Sequence, residues 1–375
     1  MTRLGLARAT VGRPWWLRFA SRFDWPLFCT TVLIAGIGLL NLHSALSGTR
    51  HEALFARQVA WMLAGAIAFF AMTAIDYRFW ERFAWFLLGG AIVAVALVYV
   101  AGVSVKGAQR WLGVAGVTVQ PSELAKIAVI VALAQFAQEA EGGQLTRRQI
   151  AVRVAALAAP VGLIVAQPDL GSAVLVALIV LSVAYFTVSD LWRIHAVVIA
   201  GLAALPLLWE RMETYQRNRV LCFLDPESDP TGLCWHTKQS IIAVGSGRIL
   251  GEGYMNGTQN QFKFLPEHWT DFPFSVFAEE WGFVGGVVLL ALFAFLILWI
   301  VNAALHARDR FGAVLCLGVA AMLFWHTAVN VAMVLGLAPV VGVTLPLVSY
   351  GGSSVMTVFL GLGLVSSVSA RRHGF

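Results

Sequence analysis

Thr270-Asp-Phe-Pro-Phe-Ser-Val-Phe-Ala-Glu-Glu280 runs straight into Trp281-Gly-Phe-Val-Gly-Gly-Val-Val-Leu-Leu-Ala-Leu-Phe-Ala-Phe-Leu-Ile-Leu-Trp-Ile-Val-Asn-Ala-Ala-Leu305. The second part carries no charge. It is long enough to cross a hydrocarbon core, which takes about 20 helical residues. The first part leaves one carboxylate, Asp271, between Trp269, Phe272 and Phe274, where a polar loop meets that span. A charge at the edge of hydrocarbon is costly and points to function. The stretch therefore predicts a membrane helix with an ionisable group at its mouth.

The rest of the chain follows the same pattern. Of 375 residues, 59% are hydrophobic and 12% charged, against about 25% charge in soluble domains. Further uncharged runs lie between Asp24 and Arg50, Arg57 and Asp76, Arg82 and Lys106, Lys126 and Glu139, Arg153 and Asp169, Asp169 and Asp190, and Arg193 and Glu210. The run from Phe311 to Ala370 needs a break, which the Gly- and Pro-rich segment Gly336 to Gly352 supplies. The fold class expected is an all-α integral membrane protein of about ten transmembrane helices, a single polytopic domain over residues 1–375. The run between Lys126 and Glu139 reaches useful length only with Lys126, alone or together with Glu123, inside the membrane. The first apolar run is too long for a signal peptide's core and is read as a retained helix.

Ten helices put both termini on one side. With residues 1–24 as a short basic cytoplasmic N-terminus, the inner segments hold fifteen arginines, while the short outer loops hold only Arg50, Arg57, Lys106 and Arg110. That asymmetry orients the chain. Residues 210–272 then form a large periplasmic loop between the seventh and eighth helices, and Asp271 faces outward. Cys222 and Cys234 both fall in this loop, where a disulfide and two free thiols are alternative readings. Cys29 and Cys316 read as small core residues. The scattered basic residues form no nucleic-acid patch, and no His pair has zinc-ligand spacing.

Several polar groups share the outer side. Arg57 ends the second helix and reads either as a snorkelling anchor or as a cation for a ligand. Lys106-Gly-Ala-Gln-Arg-Trp111 brings Lys106 and Arg110. Gln120-Pro-Ser-Glu-Leu-Ala-Lys126 opens a helix with Glu123 and Lys126 on one face, as an ion pair or as part of a site. Asp169 in Gln167-Pro-Asp-Leu-Gly171 reads as a helix cap, and His326 as a helix-packing hydrogen-bonder. Pro346-Leu-Val-Ser-Tyr-Gly-Gly-Ser-Ser354, with Ser349 and Gly351, offers backbone amides suited to an anion. Glu279 and Glu280 point about 100° apart on a helix, so one at most faces the site well. One carboxylate among cations at the hydrocarbon boundary suits a lipid-linked diphosphate. The cations would stabilise the leaving group, and the carboxylate would take a hydroxyl proton.

These motifs, with Phe223-Leu-Asp-Pro226, Gly257-Thr-Gln259, Leu265-Pro-Glu267, Thr270-Asp-Phe272 and Ala278-Glu-Glu280, resemble the SEDS family (shape, elongation, division and sporulation) from about residue 50 to the C-terminus. Gly257-Thr-Gln259 and Pro339-Val-Val-Gly342 are similar to its elongation branch rather than its division branch. The resemblance implies a peptidoglycan glycosyltransferase of the bacterial inner membrane that polymerises lipid II on the periplasmic face and releases undecaprenyl diphosphate. It implies a class B penicillin-binding protein and other elongation-complex proteins as partners, beside membrane lipid. It places the essential Asp at Asp271 and important residues at Glu123, Lys126 and Arg57. Lys106 and Arg110 join Arg57 as diphosphate-binding candidates, with Gln120, Thr270, Glu279, Glu280, Ser349 and Gly351 in secondary roles. No cofactor is implied, and a divalent cation is left open. The family carries His directly before Thr-Asp and an aliphatic residue two places after the Asp; here Trp269 and Pro273 stand there. A lipid II flippase and a scaffold for the transpeptidase are the competing expectations.

Overall fold

The computed structural model describes residues 23–105, 108–114, 117–143, 145–187, 191–225, 234–261 and 268–372. Helices α1 (Trp25–Leu46), α2 (Ala53–Ala74) and α3 (Tyr77–Ala101) come first, followed by strands β1 (Val103–Val105), β2 (Ala108–Val114) and β3 (Val117–Val119). Then come α4 (Pro121–Glu141), α5 (Arg147–Ala166), α6 (Leu170–Thr187), α7 (Leu191–Ala203), α8 (Leu205–Arg211), α9 (Thr214–Leu224), α10 (Trp235–Ser246) and α11 (Thr258–Gln261). The last three are α12 (Pro273–Leu305), α13 (Arg310–Val334) and α14 (Gly352–Arg371).

Eight of these helices are long and apolar enough to cross a bilayer, and the pair α7 and α8, bent by 41°, makes a ninth span. Helix α4 is not among them. Its 21 residues include Glu123 and Lys126, which lower its apolarity, yet both side chains are buried in protein. Ionisable groups in a membrane are tolerated where they face a bundle interior. Helices α4, α13 and α14 form that interior. Val129, Leu315, Val319, Leu323, Leu362 and Val365 are all fully buried there. Helices α2 and α14 approach closely because Gly363 rests on the Phe69 backbone. Small residues at helix contacts replace the hydrophobic drive that lipid removes.

Three details differ from the sequence reading. The segment after α3 folds into a three-stranded antiparallel sheet, ordered β1-β2-β3, in an otherwise helical chain. Its outer strands have three residues each, too few for an alternating pattern to stand out. Cys29 is exposed rather than part of the core, whereas Cys316 is buried. Helix α12 starts at Pro273 and breaks at Gly282, whose φ of 65° and ψ of −165° are open to glycine. Residues 272 to 280 form a buried half-helix, and the lipid-facing span follows the break.

Candidate active site

Asp271 sits where the half-helix begins. Pro273 supplies a φ ready for the first helical turn, and three other elements hold the entry. The Asn330 side-chain amide on α13 donates to the Asp271 carbonyl at 3.0 Å and to Val343 O at 2.6 Å. The Asn41 amide on α1 donates to Pro273 O at 3.0 Å. Tyr350 N donates to Trp269 O at 2.8 Å. The carboxylate is half-buried. His268 bonds Ala45 O at 2.8 Å, while Trp269 packs against the His51 ring.

Gly342 lies beneath the carboxylate. A Cβ there would stand 3.6 Å from Asp271 Oδ2 and 3.9 Å from Arg219 Nη1. Arg219, on α9 of the large loop, thus shares with Asp271 the space left by a residue with no side chain. Its guanidinium also lies 5.8 Å from the Tyr215 ring centre. Gly342 has φ +74°, so Gly342→Ala is expected to lower stability by about 1–2 kcal/mol through left-handed strain. Thermal unfolding in detergent measures this.

A narrow cleft of about 40 Å³ continues from Arg219 between Arg110, Pro168, Gln216 and Val341. Arg110 enters it from β2. Its guanidinium bonds the Pro168 carbonyl, Tyr215 Oη at 2.9 Å and Asp169 Oδ1 at 3.5 Å. Asp169 also accepts from Gln120 Nε2 at 3.2 Å and from Ser172 N at 3.4 Å. It caps α6 and bridges Arg110 to the start of α4. Cys222 and Cys234 are joined in a disulfide that ties α9 to the start of α10.

The Glu123 and Lys126 pair lies apart from that cleft lining. Lys126 is fully buried, and its Nζ donates to Glu123 Oε1 at 2.5 Å and to His326 Nε2 at 2.8 Å. His326 Nδ1 reaches Thr344 O at 3.2 Å, two residues from Gly342. The ammonium makes His326 Nε2 the acceptor, so Nδ1 carries the hydrogen donated to Thr344. With its amine enclosed, Lys126 does not touch a ligand in this conformation. The triad instead fastens α4 and α13 to the segment under Asp271.

The segment around Ser349 and Gly351 is also committed internally. Ser349 Oγ accepts from Leu345 N at 2.7 Å. Gln58 Oε1 takes the Gly351 amide at 3.1 Å while its Nε2 donates to Ser349 O at 3.1 Å. Ser353 Oγ accepts from Gln120 N at 3.0 Å. At this helix start the N-cap amide, that of Gly351, is thus taken by Gln58. Arg57 is exposed and places its charge near Tyr350. Burial pushes the Tyr350 phenol up from its ordinary value, partly offset by that arginine's charge. Glu279 accepts from Gln259 N at 2.9 Å and Thr258 Oγ1 at 3.2 Å, and Glu280 accepts from Ser44 Oγ. Both acids brace the half-helix against its surroundings. Thr270 is half-buried beside Asp271. Lys106, Phe264 to Glu267 and Pro226 lie outside the described residues, among which no group of three His, Cys, Asp or Glu side chains could hold a metal.

Sequence reasoning missed Arg219, Tyr215 and Gln58. The first two belong to Tyr215-Gln-Arg-Asn-Arg219, a basic and aromatic cluster whose place in a long loop hid it.

The profile of the cell cycle protein family named for FtsW, RodA and SpoVE matches residues 24–374. The peptidoglycan glycosyltransferase MrdB of Escherichia coli K12 is 42% identical over 321 residues, covering 84% of this chain and 85% of the relative. A chain from a peptidoglycan synthase complex studied for the coordination of polymerization and crosslinking superposes with a TM-score of 0.78 at 33% identity, covering 94% of this chain and 99% of that one. The rod shape determining protein RodA of Thermus thermophilus gives 0.70 at 30% identity, covering 94% and 98%.

Proposed function

Because the chain belongs to the cell cycle protein family of FtsW, RodA and SpoVE and is a peptidoglycan glycosyltransferase, we propose that it polymerises lipid II during cell elongation, on the periplasmic face of the bacterial inner membrane, with Asp271 as general base. The observation that carries this reading is that Asp271 and Arg219 both border the space beside Gly342, next to a cleft lined by Arg219 and Arg110. The 4-hydroxyl of the acceptor sugar gives its proton to Asp271 as its oxygen attacks C1 of the donor chain. Attack from the face opposite the diphosphate converts an α linkage to β. The C1–O bond to the diphosphate breaks, and undecaprenyl diphosphate leaves. Arg219, Arg110 and Arg57 supply positive charge for it, and guanidinium forks suit phosphate oxygens.

The partner in this reading is a class B penicillin-binding protein. The similarity to a chain of a peptidoglycan synthase complex supports it. Purified chain with that partner, given labelled lipid II in liposomes, is expected to yield glycan strands and one undecaprenyl diphosphate per bond formed. Passage of lipid II across the bilayer without polymer would instead support the flippase reading.

Arg219 separates the roles further. Arg219→Ala is expected to lower kcat/KM about 10²–10³-fold, the range for losing one donor to developing charge in a shielded site. Arg219→Lys restores charge without the fork and should recover only part of it. Wild-type kinetics in Arg219→Ala would remove it from the site.

A further inference from the structure

The turn between α10 and α11 has a shape that catalysis does not explain. Residues 247–253 fold back onto the break in α12. Phe283 N donates to Arg248 O at 2.9 Å and Val284 N to Ile249 O at 3.1 Å. Glu252 N donates to Glu279 O and Gly253 N to Glu280 O, each at 3.0 Å. Gly251, at φ +82°, passes so close that a Cβ would stand 2.1 Å from Glu280 O. These bonds fix the turn at the depth of Phe283, where the lipid-facing part of α12 begins.

The side chains at that depth are apolar and uncovered. Ile249 is 67% exposed, Leu250 79% and Phe283 70%. They continue the face formed down α12 by the exposed Val284, Val287 and Val288. A patch of this kind in water would be unfavourable, at about 25 cal/mol per Å² of apolar surface. Arg248 is exposed on the same turn, with a stem long enough to keep its charge among headgroups. The patch is continuous with the bilayer-facing surface of a span, which identifies lipid as its cover.

We propose that residues 247–251 are a membrane anchor: Ile249 and Leu250 enter the leaflet on the Asp271 side, and Arg248 meets a lipid phosphate. The same backbone bonds grip the carbonyls of Glu279 and Glu280, in the half-helix that starts beside Asp271. The anchor therefore sets the depth of the half-helix relative to lipid-borne substrates.

Site-specific fluorescence tests this independently of catalysis. Cys29 and Cys316, the free cysteines of the described chain, are replaced by Ser and Ala. Leu250→Cys, or Glu252→Cys as an exposed reference, is then labelled with an environment-sensitive dye in phosphatidylethanolamine–phosphatidylglycerol liposomes. Doxyl lipids are expected to quench the Leu250 label at least about twofold more than the reference, with iodide showing the reverse order. Equal iodide quenching at both positions would overturn the anchor. Shielding of the Leu250 label only after a class B penicillin-binding protein is added would also overturn it, in favour of a protein docking surface. The variant Ile249→Ser with Leu250→Ser should slow polymerisation about fivefold in liposomes and much less in detergent. An equal fall in both media would remove the depth-setting role.

Discussion

Asp271→Asn is expected to abolish glycan synthesis from lipid II, with a fall of about 10³-fold, within the range for losing a general base. The amide keeps the size of the side chain, so the contacts that hold this position remain. Asn330 and Asn41 bond backbone carbonyls at Asp271 and Pro273, which the substitution does not touch. Membrane insertion, thermal stability and partner binding should therefore match the wild type. An amide cannot take the acceptor's proton, so kcat should fall while KM for lipid II changes little. A variant that polymerises at the wild-type rate would exclude Asp271 from the chemistry. One that fails to insert would assign it to folding.

The second large effect falls on the enclosed triad. Lys126→Met removes the ammonium that satisfies Glu123 and His326. Breaking one half of a buried ion pair costs about 3–5 kcal/mol, because the partner is left without compensation. The variant should unfold at a clearly lower temperature and lose activity, since Thr344, two residues from Gly342, is tethered through His326. The double variant Glu123→Gln with Lys126→Met removes the stranded charge and should regain most of the stability. If it regains stability without activity, the pair has a role at the site beyond packing. If it regains both, the pair is structural. Thermal midpoints and polymerisation rates of the three proteins distinguish these outcomes.

Much of the architecture could be read from runs of residues without charge. The break between α13 and α14 was legible because Gly and Pro gather there, and Asp271 because it stands beside a long apolar run. The break at Gly282 was not legible. Glycine is common in membrane helices, and only the turn of residues 247–253 bonding across it makes this one a break. The short sheet after α3 gave no usable period. Lys126 could be placed on the same face as Glu123, but its enclosure by His326 depends on α13, 200 residues away. Gly351 read as an open amide because Gln58, which occupies it, lies on another helix. Arg219 went unseen for a similar reason: a cation in a long polar loop looks solvated until it is seen to share the space beside Gly342 with Asp271. Local pattern thus reported which residues enter the membrane. The partners of the polar residues depend on distant chain segments.

A cryo-electron-microscopy structure of Asp271→Asn with lipid II bound tests the central claim most directly, since the inactive variant holds substrate without turning it over. A diphosphate is expected within hydrogen-bond reach of Arg219 and Arg110, with an acceptor hydroxyl at the residue 271 side chain beside Gly342. A diphosphate bound elsewhere, with the space between residues 271 and 219 closed to substrate, would contradict it.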